Sequence, residues 1–261
     1  MESSYFATES QEIKNSNNDM QSLSEDEDQQ NVTAPFGNCA EKIIFVIDSS
    51  FRKRISSYQQ TSLIKNNWDL IKRAITMYIL TKASLNSKHQ FGISFLQEED
   101  VVWFQEMTSN TKLLLDCFNN VQCLTDDFDY PSKCSLGSVF KEIFNNKVVK
   151  SYKEGIDSYV IRVIFLYGRN CPIILSRAEM MEYKEITSRL SFFFDVFCML
   201  CDEESIAVFK DNIANLSRLD RNNYVVMAFK NPAHVFESIA SLLAHPLQRC
   251  PQKYCHYALD S

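Results

Sequence analysis

Short continuous apolar runs alternate along this chain with longer segments whose apolar residues recur every three to four positions. That alternation leaves few folds open. EKIIFVID at 41–48, SYVIRVIFLYG at 158–168, SFFFDVFCML at 191–200 and NYVVMAF at 223–229 read as strands buried on both faces, as parallel strands are. QFGISFLQEED and VVWFQEM, joined by the acidic turn Glu98–Asp100, read as an antiparallel pair. Helical spacing is expected over 66–87, over a segment capped by Thr108 or Ser109, through Leu136, Val139, Phe140, Ile143 and Phe144, and over 176–189, 203–219 and 232–244. The expected order is β-α-β-β-α-α-β-α-β-α-β-α: a mainly parallel six-stranded α/β sheet with one antiparallel edge strand and helices on both faces. In such sheets ligands bind beyond the carboxyl ends of the strands, where strand order reverses.

Charge is unevenly placed. Residues 1–38 hold eight acids and one base, a charge of -7 against -6 for the whole chain, so the remainder sums to +1. The segment is polar and without apolar period, and it reads as a disordered acidic tail. Three regions follow: the tail at 1–38, a domain at 39–246 and a C-terminal docking tail at 247–261. With no basic surplus, direct nucleic-acid binding is not expected. Only five glycines occur where average usage gives roughly 18, and neither common phosphate-cradling loop can be drawn through them. A polar, acidic N-terminus, no apolar run of about 20 residues and nine cysteines without framework spacing predict a soluble intracellular protein with reduced thiols.

The first strand runs into Asp48-Ser49-Ser50. A hydrophobic strand entering an Asp-Ser-Ser turn, within this element order, resembles the von Willebrand factor A domain. That family's Mg²⁺ site is Asp-x-Ser-x-Ser plus a Thr from a later loop and an Asp after the fourth strand. Asp48 and Ser50 match, but Arg52 stands at the third position. Gly168-Arg169-Asn170 follows the Val160–Tyr167 strand without an Asp, and the Thr position is open to Thr125, Ser132 or Ser135. A guanidinium repels a divalent cation and satisfies a carboxylate with paired hydrogen bonds. The site is therefore expected to be degenerate (Asp48, Ser50, Arg52), with Asp48 facing Arg52 or Arg169 and no metal or cofactor bound. The alternative is a metal-dependent ligand-binding A domain.

Other patterns have plainer readings. Cys198 and Cys201 have zinc or redox spacing, but a second ligand pair exists only as Cys250 with Cys255 and His256. Asp126, Asp127 and Asp129 lack the glycine and distal Glu of a calcium loop. Phe192-Phe193-Phe194 reads as core. His89, His234, His245 and His256 fall in no catalytic frame, so no catalytic residue is assigned.

The C-terminal stretch LLAHPLQRCPQKYCHYAL brackets an apolar residue and an Arg between two prolines. It reads either as an extended segment docking in a partner's groove or as a tail packed on its own domain. With EKIIFVIDSS and SFFFDVF, this ending resembles the von Willebrand A-like scaffold subunit of the BRISC and BRCA-one A deubiquitinase complexes, the mediator of RAP interactions and targeting. The resemblance implies a non-enzymatic adaptor of the cytoplasm and nucleus, acting in DNA-damage and receptor signalling. It implies a complex whose separate metallo-isopeptidase subunit, with its pseudo-enzyme scaffold, cleaves lysine-sixty-three-linked ubiquitin chains. The adaptor's direct partner would be the BRE subunit, built from ubiquitin-conjugating-enzyme variant domains. It also implies Pro246, Leu247, Gln248, Arg249 and Pro251 as the docking residues.

Overall fold

A computed structural model describes residues 39–52, 67–122, 133–153, 158–200, 204–216, 223–229 and 231–249. The acidic tail, Thr125 to Asp129, Ser132, Cys201, Cys250, Pro251, Cys255 and His256 lie outside the described residues.

Six strands form one sheet: β1 (Ala40–Asp48), β2 (Gln90–Leu96), β3 (Val101–Thr108), β5 (Tyr159–Tyr167), β7 (Phe192–Leu200) and β8 (Val225–Phe229), in the order β3-β2-β1-β5-β7-β8. All neighbours are parallel except β2 and β3, so β3 is the antiparallel edge strand the hairpin pattern predicts. A second, two-stranded sheet pairs β4 (Cys134–Ser135) with β6 (Ile173–Ile174). Two-residue strands carry no readable alternation, so neither is expected from the sequence.

Side chains alternate across the main sheet, as the period of two requires. Ile43, Phe45 and Ile47 of β1 pack with Ile164 and Leu166 of β5 beneath α1 (Asn67–Leu85), α2 (Thr111–Asn119) and α7 (Pro232–Ser241). Ile44 and Val46 face the other way with Val163 and Phe165, under α3 (Leu136–Asn145), α4 (Lys147–Ser151) and α6 (Glu204–Leu216). Helix α5 (Arg177–Thr187) sits at the periphery with no buried residue, and the Ser176–Glu179 capping box fixes its start. All three residues of the Phe192–Phe194 run are buried in β7. Trp103 is half-buried over Gly92, where an added Cβ would lie 3.0 Å from its ring and 2.7 Å from Met107 Sδ.

Helix ends shift from expectation for local reasons. Thr108 is spent in β3 opposite Phe91, so α2 is capped by Asn110, whose Oδ1 accepts the Leu113 amide at 3.0 Å. Helix α7 begins at Pro232 behind Asn231 but stops at Ser241. The carbonyls of Leu242, Leu243 and Ala244 turn instead to Tyr78, Lys82 and Arg162.

Candidate functional site

Strand β1 has β2 on one side and β5 on the other, so the strand order reverses at the carboxyl end of β1. Asp48 lies there, fully buried, and a 3-10 turn at Ser49–Arg52 follows it. Its Oδ1 accepts the Ser50 amide at 3.0 Å, and its Oδ2 accepts the Gly168 amide at 3.2 Å. Gly168 is required by contact: a Cβ there would sit 2.6 Å from the Phe51 ring and 2.7 Å from Ser50 Oγ.

The guanidinium that faces Asp48 belongs to Arg169, whose Nε donates to Oδ1 at 3.0 Å. Its Nη1 donates to the Glu98 carbonyl at 2.6 Å, and its Nη2 to the Gln97 carbonyl. One side chain thus ties the end of β1 to the β2–β3 turn and the segment after β5. Arg52, the other candidate, directs Nε to the Gln122 carbonyl at 3.0 Å and lies over the Phe95 ring. Burial drives the Asp48 carboxyl above its ordinary value, and the Arg169 charge pulls it back.

The family's divalent cation does not fit this arrangement. The Ser49 and Ser50 hydroxyls are buried without a hydrogen-bond partner among the described residues. However, a fixed positive charge occupies the carboxylate face that an ion would need. Ser135, a candidate for the missing Thr, is committed elsewhere: its Oγ caps α3 by accepting the Gly137 amide and donates to Glu179 Oε1 at 2.9 Å. Cys134 is buried near enough to feel the same carboxylate: burial, then the Asp48 charge, push its thiol up to about 12. Among the described residues no group of His, Cys, Asp or Glu is placed to hold a metal ion.

A second polar cluster, missed in the sequence reading, lies at the amino end of the same sheet. Glu41 of β1, Arg162 of β5 and Asp195 of β7 are each fully buried. Arg162 Nε donates to Asp195 Oδ2 at 2.8 Å, while its Nη1 reaches Glu41 Oε2 at 3.2 Å and Tyr78 Oη at 2.9 Å. Lys82 of α1 pairs with the other Glu41 oxygen. Burial alone would raise Asp195, but Arg162 and Arg249 hold its carboxyl below the usual range.

Arg249 joins this cluster. Read from the sequence as a docking residue, it turns inward and grips Asp195 with both terminal nitrogens, Nη1 to Oδ2 at 2.8 Å. Its side chain is 4% exposed and its guanidinium stacks 3.9 Å above the Tyr224 ring. Pro246 is also buried, Leu247 is half-buried and Gln248 is exposed. Residues 245–249 thus pack on their own domain.

Cys39 Sγ lies 3.6 Å from His245 Nε2, and Glu41 Oε1 lies 3.9 Å from the same nitrogen. This is no nucleophile and base. His245 Nδ1 accepts the Leu247 amide at 3.3 Å, which leaves the proton on Nε2, the atom facing the thiol. Burial and then Glu41 raise the Cys39 thiol, the wrong direction for an activated thiolate. No described helix is long and apolar enough to cross a membrane.

No family model matches the chain. It is 28% identical over 241 residues to "BRISC and BRCA1-A complex member 1" of Bos taurus, covering 87% of this chain and 70% of that protein. Identity to the Homo sapiens protein of the same name is 27% over the same shares. The chain is thus similar in sequence to these proteins over most of its length. Among solved structures, the SpRpn10 VWA domain aligns with a TM-score of 0.50 at 12% identity, over 78% of this chain and 95% of that one. The PilB minor pilin from Streptococcus sanguinis aligns with a TM-score of 0.56 at 8% identity, over 78% and 60%. The fold is that of a von Willebrand A domain.

Proposed function

We propose that this chain is a non-catalytic scaffold subunit of a BRISC- or BRCA1-A-type deubiquitinase complex, acting in the cytoplasm and nucleus by holding the BRE subunit. Similarity over 87% of the chain to proteins named as members of those complexes carries this reading. The site geometry favours it over the metal-dependent alternative, because Arg169 already pairs with Asp48, the carboxylate a cation would need. Cleavage of ubiquitin chains falls to the separate metallo-isopeptidase subunit.

The docking segment of this reading is Pro246, Leu247, Gln248, Arg249 and Pro251, the last outside the described residues. Leu247 and Gln248 form the accessible crest of the turn at 245–249, whereas Pro246 and Arg249 are turned into the domain. Full-length chain, co-expressed with the BRE subunit, is expected to co-purify with it. Leu247→Asp is expected to weaken that capture by at least about 30-fold, the scale of a central interface anchor worth over ~2 kcal/mol. Failure of the unsubstituted chain to co-purify would refute the reading.

A further inference from the structure

Eight consecutive residues after α7 are fastened to the amino-end cluster. Tyr78 Oη donates to the Leu242 carbonyl at 3.1 Å, Lys82 Nζ to the Leu243 carbonyl at 3.2 Å, and Arg162 Nη1 to the Ala244 carbonyl at 3.2 Å. A turn follows, in which the His245 carbonyl accepts the Gln248 and Arg249 amides at 2.9 and 3.1 Å. His245 Nδ1 holds the Leu247 amide within it. Arg249 then closes the loop on Asp195 over Tyr224. Both ends of the turn are therefore fixed by buried groups, and only its crest faces outward.

We infer that the Asp195–Arg249 pair, stacked on Tyr224, is a clasp that pre-forms the 245–249 turn for partner binding, so that these three are positioning residues that do not touch the partner. The inference rests on the docking role proposed above for Leu247 and Gln248. The physical basis is entropic: a segment ordered before association loses less freedom on binding than one ordered by it. A bidentate guanidinium–carboxylate pair suits this task because it fixes orientation as well as distance. Asp195 is bound from three directions, by Arg162, Arg249 and the Tyr224 amide at 2.9 Å, so the clasp rests on a buried, fully held carboxylate of β7.

The test uses full-length chain and the BRE subunit, with two measurements on Arg249→Gln, Tyr224→Leu and the double variant. Tyr224 is 3% exposed, and its replacement leaves every charge in place, which guards against a variant that fails to fold. In the free chain, hydrogen exchange at the Gln248 and Arg249 amides is expected to accelerate more than tenfold in each variant, with the β1 and β5 amides unchanged. Binding to the BRE subunit is expected to weaken about tenfold in each single variant, and the double variant is expected to lose little more. Unchanged exchange at 248–249 would overturn the clasp, whatever the partner does. An Arg249→Gln loss that Tyr224→Leu does not share, or losses that multiply, would also overturn it by making Arg249 a direct contact. A chain that never binds the BRE subunit would refute the docking role, and exchange would still decide the clasp.

Discussion

Arg162→Met is expected to cost the folded chain about 3–5 kcal/mol, because it leaves two fully buried carboxylates short of their shared cation. Glu41 would keep Lys82, and Asp195 would keep Arg249, yet the link between β1 and β7 through Arg162 would be gone. Methionine fills most of the volume, so the loss is electrostatic and not a cavity effect. For a domain of this size the cost corresponds to a midpoint lowered by about 6–20 °C. That is a large share of a total stability that is ordinarily about 5–15 kcal/mol. Thermal unfolding followed by circular dichroism measures it. A change under 1 kcal/mol would mean that the cluster contributes little to holding the sheet.

The second large effect is at the other end of the sheet. Arg169→Leu strips the buried Asp48 of its counter-charge and frees the Gln97 and Glu98 carbonyls, with an expected loss of about 3–4 kcal/mol at pH 7. The sign of its pH dependence follows from Asp48. Burial already raises this carboxyl, and without Arg169 it rises further, so the folded variant holds a proton that the unfolded chain releases. A raised folded pKa gives a contribution that is complete below the ordinary carboxylate range and lost as pH rises through the folded value. The deficit relative to the unsubstituted chain should therefore shrink as pH falls from 7 towards 5. Adding Asp48→Asn should recover part of the loss at pH 7, since a neutral amide is cheaper to bury than a lone carboxylate. A deficit independent of pH, or a double variant worse than the single, would contradict the ion-pair account.

The sheet and its helices were legible because apolar period and strand length carry that information directly. The arginine facing Asp48 was legible as one of two candidates, since Arg52 and Arg169 both flank the strand ends and only the tertiary fold sends Arg52 to the Gln122 carbonyl instead. The amino-end cluster had a signal that went unused. Arg162 interrupts YVI and VIFLY, and Asp195 interrupts FFF and VFCML, in strands otherwise wholly apolar. Opposite charges at equivalent depths of two buried strands imply a pair, because neither can be buried alone. Arg249 was not legible. Nothing in HPLQRCP distinguishes an arginine reaching outward from one folded back 54 residues upstream to Asp195. That distinction depends on where α7 stops, and the last turn is lost to carbonyls captured by Tyr78, Lys82 and Arg162.

The Asp48 pocket stands behind the whole account as a cation site closed by a guanidinium, and isothermal titration of Mg²⁺ into the full-length chain is its most direct test. No saturable heat is expected up to millimolar Mg²⁺, with Asp48→Ala indistinguishable from the unsubstituted chain. Saturable sub-millimolar binding that Asp48→Ala abolishes would contradict it.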